Sequence, residues 1–200
     1  IGENKYLVAI RDGFLLSTPL LIVGSVFLLI ANFPLPQWDT WMSHLLGKDW
    51  ATMMSVPASA SFDVMTILAV VGIAYSLGKQ FNVDAMQAGI IALVSFFIVT
   101  PYQTLFTPEN SSKVYEVTSL PLKWMGSSGL FLGMIVALIA TRLFVAIVRK
   151  GWTIKMPEGV PPTVVKSFEA LIPSFLVVTL MFLVNWLAAL TPYEIGRASC

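Results

Sequence analysis

Few residues in this 200-residue chain could do chemistry, and most of them sit in one stretch. Residues 155–168 read KMPEGVPPTVVKSF. Lys155 and Lys166 supply ammonium groups. Pro157, Pro161 and Pro162 forbid a continuous helix between them, so the stretch is shaped and semi-rigid. Trp152 precedes it and Phe168 closes it, as anchors for its two ends. Fixed cations on such a loop attract an anionic partner or anionic lipid. Nothing else in the sequence competes with it. No nucleophile–base pair, Walker loop or dinucleotide motif is present. His44 is the only histidine and lies among Trp38, Trp41 and Trp50, where it reads as an interfacial side chain. Cys200 is the only cysteine, so neither a disulfide within the chain nor a metal or cofactor site is expected.

Three further polar residues fall inside apolar runs. Asp63 follows Ser59 and Ser61 and is expected to cap the first turn of its helix; ion coupling is the sharper alternative. Arg142 lies about two turns from a helix end and can snorkel to the headgroups. Asn185 reads as an interhelical hydrogen-bonder. Gly126, Gly129 and Gly133 precede Ala137, and the last two glycines have the GxxxG spacing that lets helix backbones approach. Packing against a neighbouring helix of the same chain is the simpler reading of those glycines.

The elements that must position these residues follow from composition. The chain is 56% hydrophobic and 12% charged, about half the charge of an ordinary soluble domain. So little polar material cannot cover a soluble surface, which excludes a soluble enzyme. A net charge of +1 gives no case for nucleic acid. Five apolar runs approach the ~20 residues that a spanning helix needs. They are Gly13 to Asn32, Ser61 to Gly78, Ala85 to Pro101, Met125 to Val148 and Ala170 to Leu190. The expected fold is an all-α integral membrane protein with about five transmembrane helices. Trp38 to Leu46 adds a short amphipathic helix on the membrane surface. Lys113 to Val117 is expected as a strand of a small outer hairpin.

Orientation follows the positive-inside rule. With a cytoplasmic N-terminus, the inner side carries Lys5, Arg11, Lys79, Arg142, Arg149, Lys150, Lys155 and Lys166. The outer side carries Lys48, Lys113, Lys123 and Arg197. The outer tryptophans read as headgroup-level anchors, with a sugar platform as the alternative. Val164 to Phe168 starts a re-entry ahead of a break at Pro173. Residues 1–190 read as one membrane unit, and 191–200, unlike what precedes them, as a tail.

A family resemblance joins these pieces. Residues 152–175, WTIKMPEGVPPTVVKSFEALIPSF, closely resemble the cytoplasmic loop after the fourth helix of a sugar-permease family. That family is the lactose, cellobiose and diacetylchitobiose type of phosphotransferase-system enzyme IIC. Ala9-Ile-Arg11-Asp12-Gly13-Phe14, then Pro19 to Ser25 and Asn32-Phe33-Pro34, resemble its first helix. Val99-Thr100-Pro101-Tyr102 resembles the end of its third.

The resemblance implies a multi-pass permease of the bacterial plasma membrane. It would take up a β-linked disaccharide while a partner IIB subunit, recharged by IIA, phosphorylates the sugar. It implies a homodimer, with the first five helices as the dimer-side scaffold. The histidine and glutamate that hold the sugar belong to a second half with no counterpart here. On this reading Trp152, Lys155, Pro157, Val160, Pro161, Lys166 and Phe168 form a cytoplasmic gate or part of the IIB docking surface. Lipid anchoring plus topology is the competing account. A dimerising structural module and an unrelated small channel or transporter are the other readings; the channel would need a polar pathway that the sequence barely offers.

Overall fold

The computed structural model describes residues 4–106, 115–157 and 159–190, with only the backbone described at 103–106, 115, 116 and 163. Residues 1–3, residues 107–114 with Lys113 of the expected strand, Glu158 and the tail from residue 191 lie outside the described residues.

The chain folds as a helical bundle. Its first helix, α1 (Lys5–Ala31), is almost wholly apolar beyond Asp12 and buries only Ala9, Gly13, Ser17 and Gly24. The expected surface helix is present as α2 (Trp38–Leu46). α3 (Trp50–Phe62) and α4 (Met65–Gln80) follow, separated only by Asp63 and Val64. α5 (Ala85–Val99) leads into an antiparallel hairpin of β1 (Gln103–Phe106) and β2 (Tyr115–Thr118), in which Gln103 pairs with Thr118 and Phe106 with Tyr115. A single turn, α6 (Leu122–Met125), precedes α7 (Leu130–Arg149). α8 (Pro162–Glu169) and α9 (Leu171–Leu190) close the described chain.

Four segments are long and apolar enough to cross a membrane: Lys5–Ala31, Trp50–Gln80, Ser127–Arg149 and Val164–Leu190. The fifth expected span, α5, has 15 residues. At 1.5 Å per residue it reaches about 22 Å, short of the ~30 Å hydrocarbon core. It is an inner helix, burying Ala88, Gly89, Ile91, Ala92, Ser95 and Phe96.

α4 is the centre of the bundle, packed between α1, α5 and α7. Its neighbour α1 runs antiparallel along α3 and α4 together. Lys5 meets Gln80, Gly13 meets Gly72 and Ile73, and Gly24 meets Ser61. A Cβ on Gly72 would stand 2.5 Å from the Gly13 carbonyl oxygen, and one on Gly13 would run into the Ile73 backbone. The two backbones therefore touch, an approach only glycine permits.

The GxxxG spacing behaves differently from the sequence expectation. Gly126 is the C-cap of α6, and Gly129 ends a 3₁₀ turn of Ser127–Gly129, so neither lies on the face of a long helix. Gly129 is required by its own turn, since a Cβ there would strike the Trp124 carbonyl. Gly126 lies beside the carbonyls of Phe62 and Asp63. Gly133 does pack a helix: its missing Cβ would stand 2.7 Å from Thr66 Cγ2 and 2.8 Å from Val70 Cγ2 of α4. Thr66 ties the same junction by donating from Oγ1 to the Gly126 carbonyl at 2.6 Å.

Asp63 is not an N-cap. It ends α3, where its N–H donates to Ser59, and α4 starts from Val64 without a side-chain cap. Two serines of α3 satisfy their hydroxyls on carbonyls of their own helix. Ser55 Oγ donates to Thr52 O at 2.7 Å and Ser61 Oγ to Pro57 O at 2.8 Å. Asn185 does bridge helices, donating from Nδ2 to Ile98 O at 2.9 Å.

Candidate functional site

The proline-containing loop leaves α7 through a glycine. Gly151 has φ +75, and its N–H donates to Val148 O at 3.0 Å while the Trp152 N–H donates to Ile147 O at 3.4 Å. This pair of bonds is the Schellman arrangement that satisfies the last carbonyls of a helix. Trp152 is 53% exposed, with Lys150 Nζ 5.4 Å from its ring centroid. Lys155 and Pro157 are exposed, and Val160 is half-buried. Gly159 has φ +100, a second left-handed turn.

Pro161 then starts α8 as its N-cap, its carbonyl accepting from the N–H of Val164 at 2.9 Å and of Val165 at 3.1 Å. Pro162 occupies the first helical position, where a missing N–H costs nothing. α8 is a short, mostly exposed helix that runs almost directly into α9, and the apolar span Val164–Leu190 begins in it, where the re-entry was expected. The break falls at Ala170, three residues before Pro173. A proline clashes with the carbonyl four residues earlier and cannot donate to it; for Pro173 that residue is Glu169, the last of α8.

The structure separates the two lysines that the sequence paired. Lys166 Nζ stands 3.4 Å from Asp84 Oδ2. The other oxygen of Asp84, Oδ1, accepts from the Gln87 N–H at 3.0 Å and caps α5. One carboxylate thus holds α8 to the start of α5. Among the described residues Lys155 has no such tether, and it stands exposed on the loop. Asp84, Phe144, Val148, Thr153, Lys166, Glu169 and Ala170 enclose a cavity of about 210 Å³ beneath the latch. Asp84 was not singled out from the sequence. Its position directly before an apolar run was the available signal, because Asp is a favoured N-cap. Phe168 is 42% exposed at the end of α8 and is free of the core.

At the opposite end of the bundle the tryptophans are structural ties. Trp50 is 2% exposed and donates from Nε1 to Asp39 Oδ1 at 2.9 Å. Trp38 donates from Nε1 to Ile30 O at 2.8 Å and packs on Phe33 with ring centroids 5.1 Å apart. A flat sugar platform made of all three is therefore ruled out; Trp41 alone stays exposed. His44 is exposed in the last turn of α2. Among the described residues no group of acids, histidines or cysteines could hold a metal.

Comparison with known proteins gives this geometry a family. The model of the phosphotransferase system EIIC matches residues 11–195. The cellobiose-specific EIIC component of Geobacillus stearothermophilus is 42% identical over 195 residues, which cover 97% of this chain and 43% of that protein. The lichenan permease IIC component of Bacillus subtilis (strain 168) is likewise 42% identical over 195 residues, covering 97% of this chain and 43% of the relative. Among solved structures, the chain matches the crystal structure of the transporter ChbC, the IIC component of an N,N'-diacetylchitobiose-specific phosphotransferase system. That match has a TM-score of 0.90 and 42% identity, covering 96% of this chain and 44% of ChbC. The chain thus spans less than half the length of these relatives. With its apolar spans and a family match over most of its length, the chain is a multi-pass membrane protein that belongs to the EIIC family of the phosphotransferase system.

Proposed function

We propose that residues 1–190 form the scaffold part of a sugar permease. The whole permease takes up a β-linked disaccharide of the cellobiose, diacetylchitobiose or lactose type, and a IIB subunit recharged by IIA phosphorylates the sugar. The observation that carries this reading is the 0.90 TM-score to ChbC at 42% identity. Relatives named for cellobiose, lichenan and lactose support the substrate class. The sugar site lies outside this chain. Two of the three outer tryptophans that could have made a platform, Trp38 and Trp50, are tied into the fold, and the described residues gather no cluster of acids and histidine.

The N-terminus faces the cytoplasm in a bacterial plasma membrane. Lys5, Arg149 and Lys166 meet Gln80, Phe81 and Asp84, so these basic residues share one end of the bundle. This end is the cytoplasmic one by the positive-inside rule. There Trp152, Lys155, Pro157, Val160, Pro161, Lys166 and Phe168 act as a gate or as part of the IIB docking surface. Lys155 steers the phosphorylated partner, while Lys166 sets the position of the loop. The permease is a homodimer, with the sparsely buried α1 among its scaffold helices.

Binding of labelled cellobiose and diacetylchitobiose tests the assignment. The purified chain is expected to bind neither. A chimera in which residues 1–190 replace the matching part of the Geobacillus relative is expected to bind and transport cellobiose. Sugar binding by the chain alone would move the site into the residues described here. A correctly inserted chimera that fails to transport would sink the scaffold reading.

A further inference from the structure

Three cations converge on one aromatic ring at the basic end of the bundle. Lys5 Nζ lies 4.9 Å, Arg149 Cζ 5.2 Å and Arg142 Cζ 5.3 Å from the centroid of Phe81. A ring has two faces, so at least two of the three share one. No two of them can be farther apart than about 10 Å, about one Debye length at 0.1 M salt, so their charges act together on an approaching anion. Two are also held by backbone. Lys5 Nζ donates to Gln80 O at 3.3 Å and Arg149 Nη2 to Phe81 O at 3.2 Å.

Little in the fold balances this charge. Among the described residues none of the three has a carboxylate partner. Asp84, the nearest acid along the chain to Phe81, is engaged by Lys166, and Asp12 by Arg11. The carboxyl end of α4 contributes about half a negative charge, and the ring a quadrupole. The cluster therefore stays strongly positive, and all three side chains are exposed.

The surroundings say what kind of anion fits. Arg142 and Arg149 are seven residues apart on one face of α7, so Arg142 sits about 10 Å deeper along the axis. Ile135 and Ile139, seven and three residues before Arg142, share that face and are exposed. A polar anchor at the bundle end with an open apolar lane running away from it suits a molecule with an anionic head and acyl chains. A soluble anion would have no use for the lane. Guanidinium and ammonium groups both donate charge-assisted hydrogen bonds to phosphate oxygens, so the cluster's charge is what selects the anion.

We propose that Lys5, Arg142 and Arg149, gathered around Phe81, form a binding site for the phosphate of an anionic phospholipid, whose chains lie along α7. Basic pockets between membrane helices hold such headgroups on physical grounds. The site depends on membrane insertion of this bundle and not on which sugar is carried.

The test is native mass spectrometry of the purified chain, equilibrated with phosphatidylglycerol and phosphatidylcholine of identical acyl chains. The chain is expected to retain phosphatidylglycerol preferentially. The triple variant K5Q/R142Q/R149Q is expected to lower that preference by about tenfold or more. The pair K48Q/K123Q is expected to leave it unchanged. The charge-keeping variant R142K/R149K is expected to keep most of the preference, which separates charge from folding. An unchanged preference in the triple variant would overturn the site. So would equal loss in K48Q/K123Q, or loss in R142K/R149K with normal helicity and elution volume. Displacement of the lipid by millimolar inorganic phosphate would overturn the lipid in favour of a small anion.

Discussion

The seam between α1 and α4 and the latch between α8 and α5 are held by opposite means. At the seam two backbones touch through Gly13 and Gly72, and no side chain intervenes. At the latch an exposed lysine reaches a carboxylate across 3.4 Å. The seam cannot open by small steps, because close-packed backbones have no alternative rotamers. The latch can, because an ion pair whose long lysine side chain is exposed to solvent costs little to break. A scaffold and an adjustable loop are thus built into one bundle by the choice of glycine in one place and lysine in the other.

If that contrast is right, substitutions should rank by region. The largest effect is expected from Gly72→Leu, which drives a side chain into the Gly13 carbonyl. Overpacking usually costs about 1–3 kcal/mol. With backbone as the neighbour the cost is expected at or above the top of that range, read as a fall in the melting temperature in detergent. A Gly72→Leu protein as stable as the parent would break the comparison outright. Gly133→Leu comes next, at about 1–3 kcal/mol, because the atoms it meets are the side chains of Thr66 and Val70, which can shift.

The latch should respond more weakly. Asp84→Ala removes both the cap of α5 and the partner of Lys166, and the cap alone is worth about 1 kcal/mol. Lys166→Gln leaves the cap intact and is expected to cost under about 1 kcal/mol. A double-mutant cycle between the two positions reads their coupling directly. A coupling as large as the Gly72 effect would make the latch a structural element and remove the contrast. Lys155→Gln is expected to leave stability unchanged. In the full permease it should lower the rate of sugar phosphorylation with sugar binding intact. An unchanged phosphorylation rate would leave Lys155 a topology signal only.

Much of the fold was legible because lipid demands long apolar runs with internally bonded backbone. α2, α7 and α9 follow the runs read from the chain to within about five residues, while α1 starts eight residues before the Gly13 expected. The latch was half legible. The prolines that shape residues 157–162 act locally, so the loop and the start of α8 follow from residue type. Asp84 is 82 positions before Lys166, and no local rule links them.

Hydropathy, charge bias and the prolines determined by themselves that this protein is a helical membrane bundle with one basic end and a shaped loop there. They did so because each is a property of a segment and its solvent. Tertiary structure alone decided which glycines matter. The GxxxG spacing dissolved into a turn, while Gly13 and Gly72, distant in sequence, became the closest contact. It also decided that Asp63 ends a helix, that Trp50 is buried, and that Lys5, Arg142 and Arg149 meet on Phe81. Those outcomes depend on which helix lies beside which, a long-range choice made by packing.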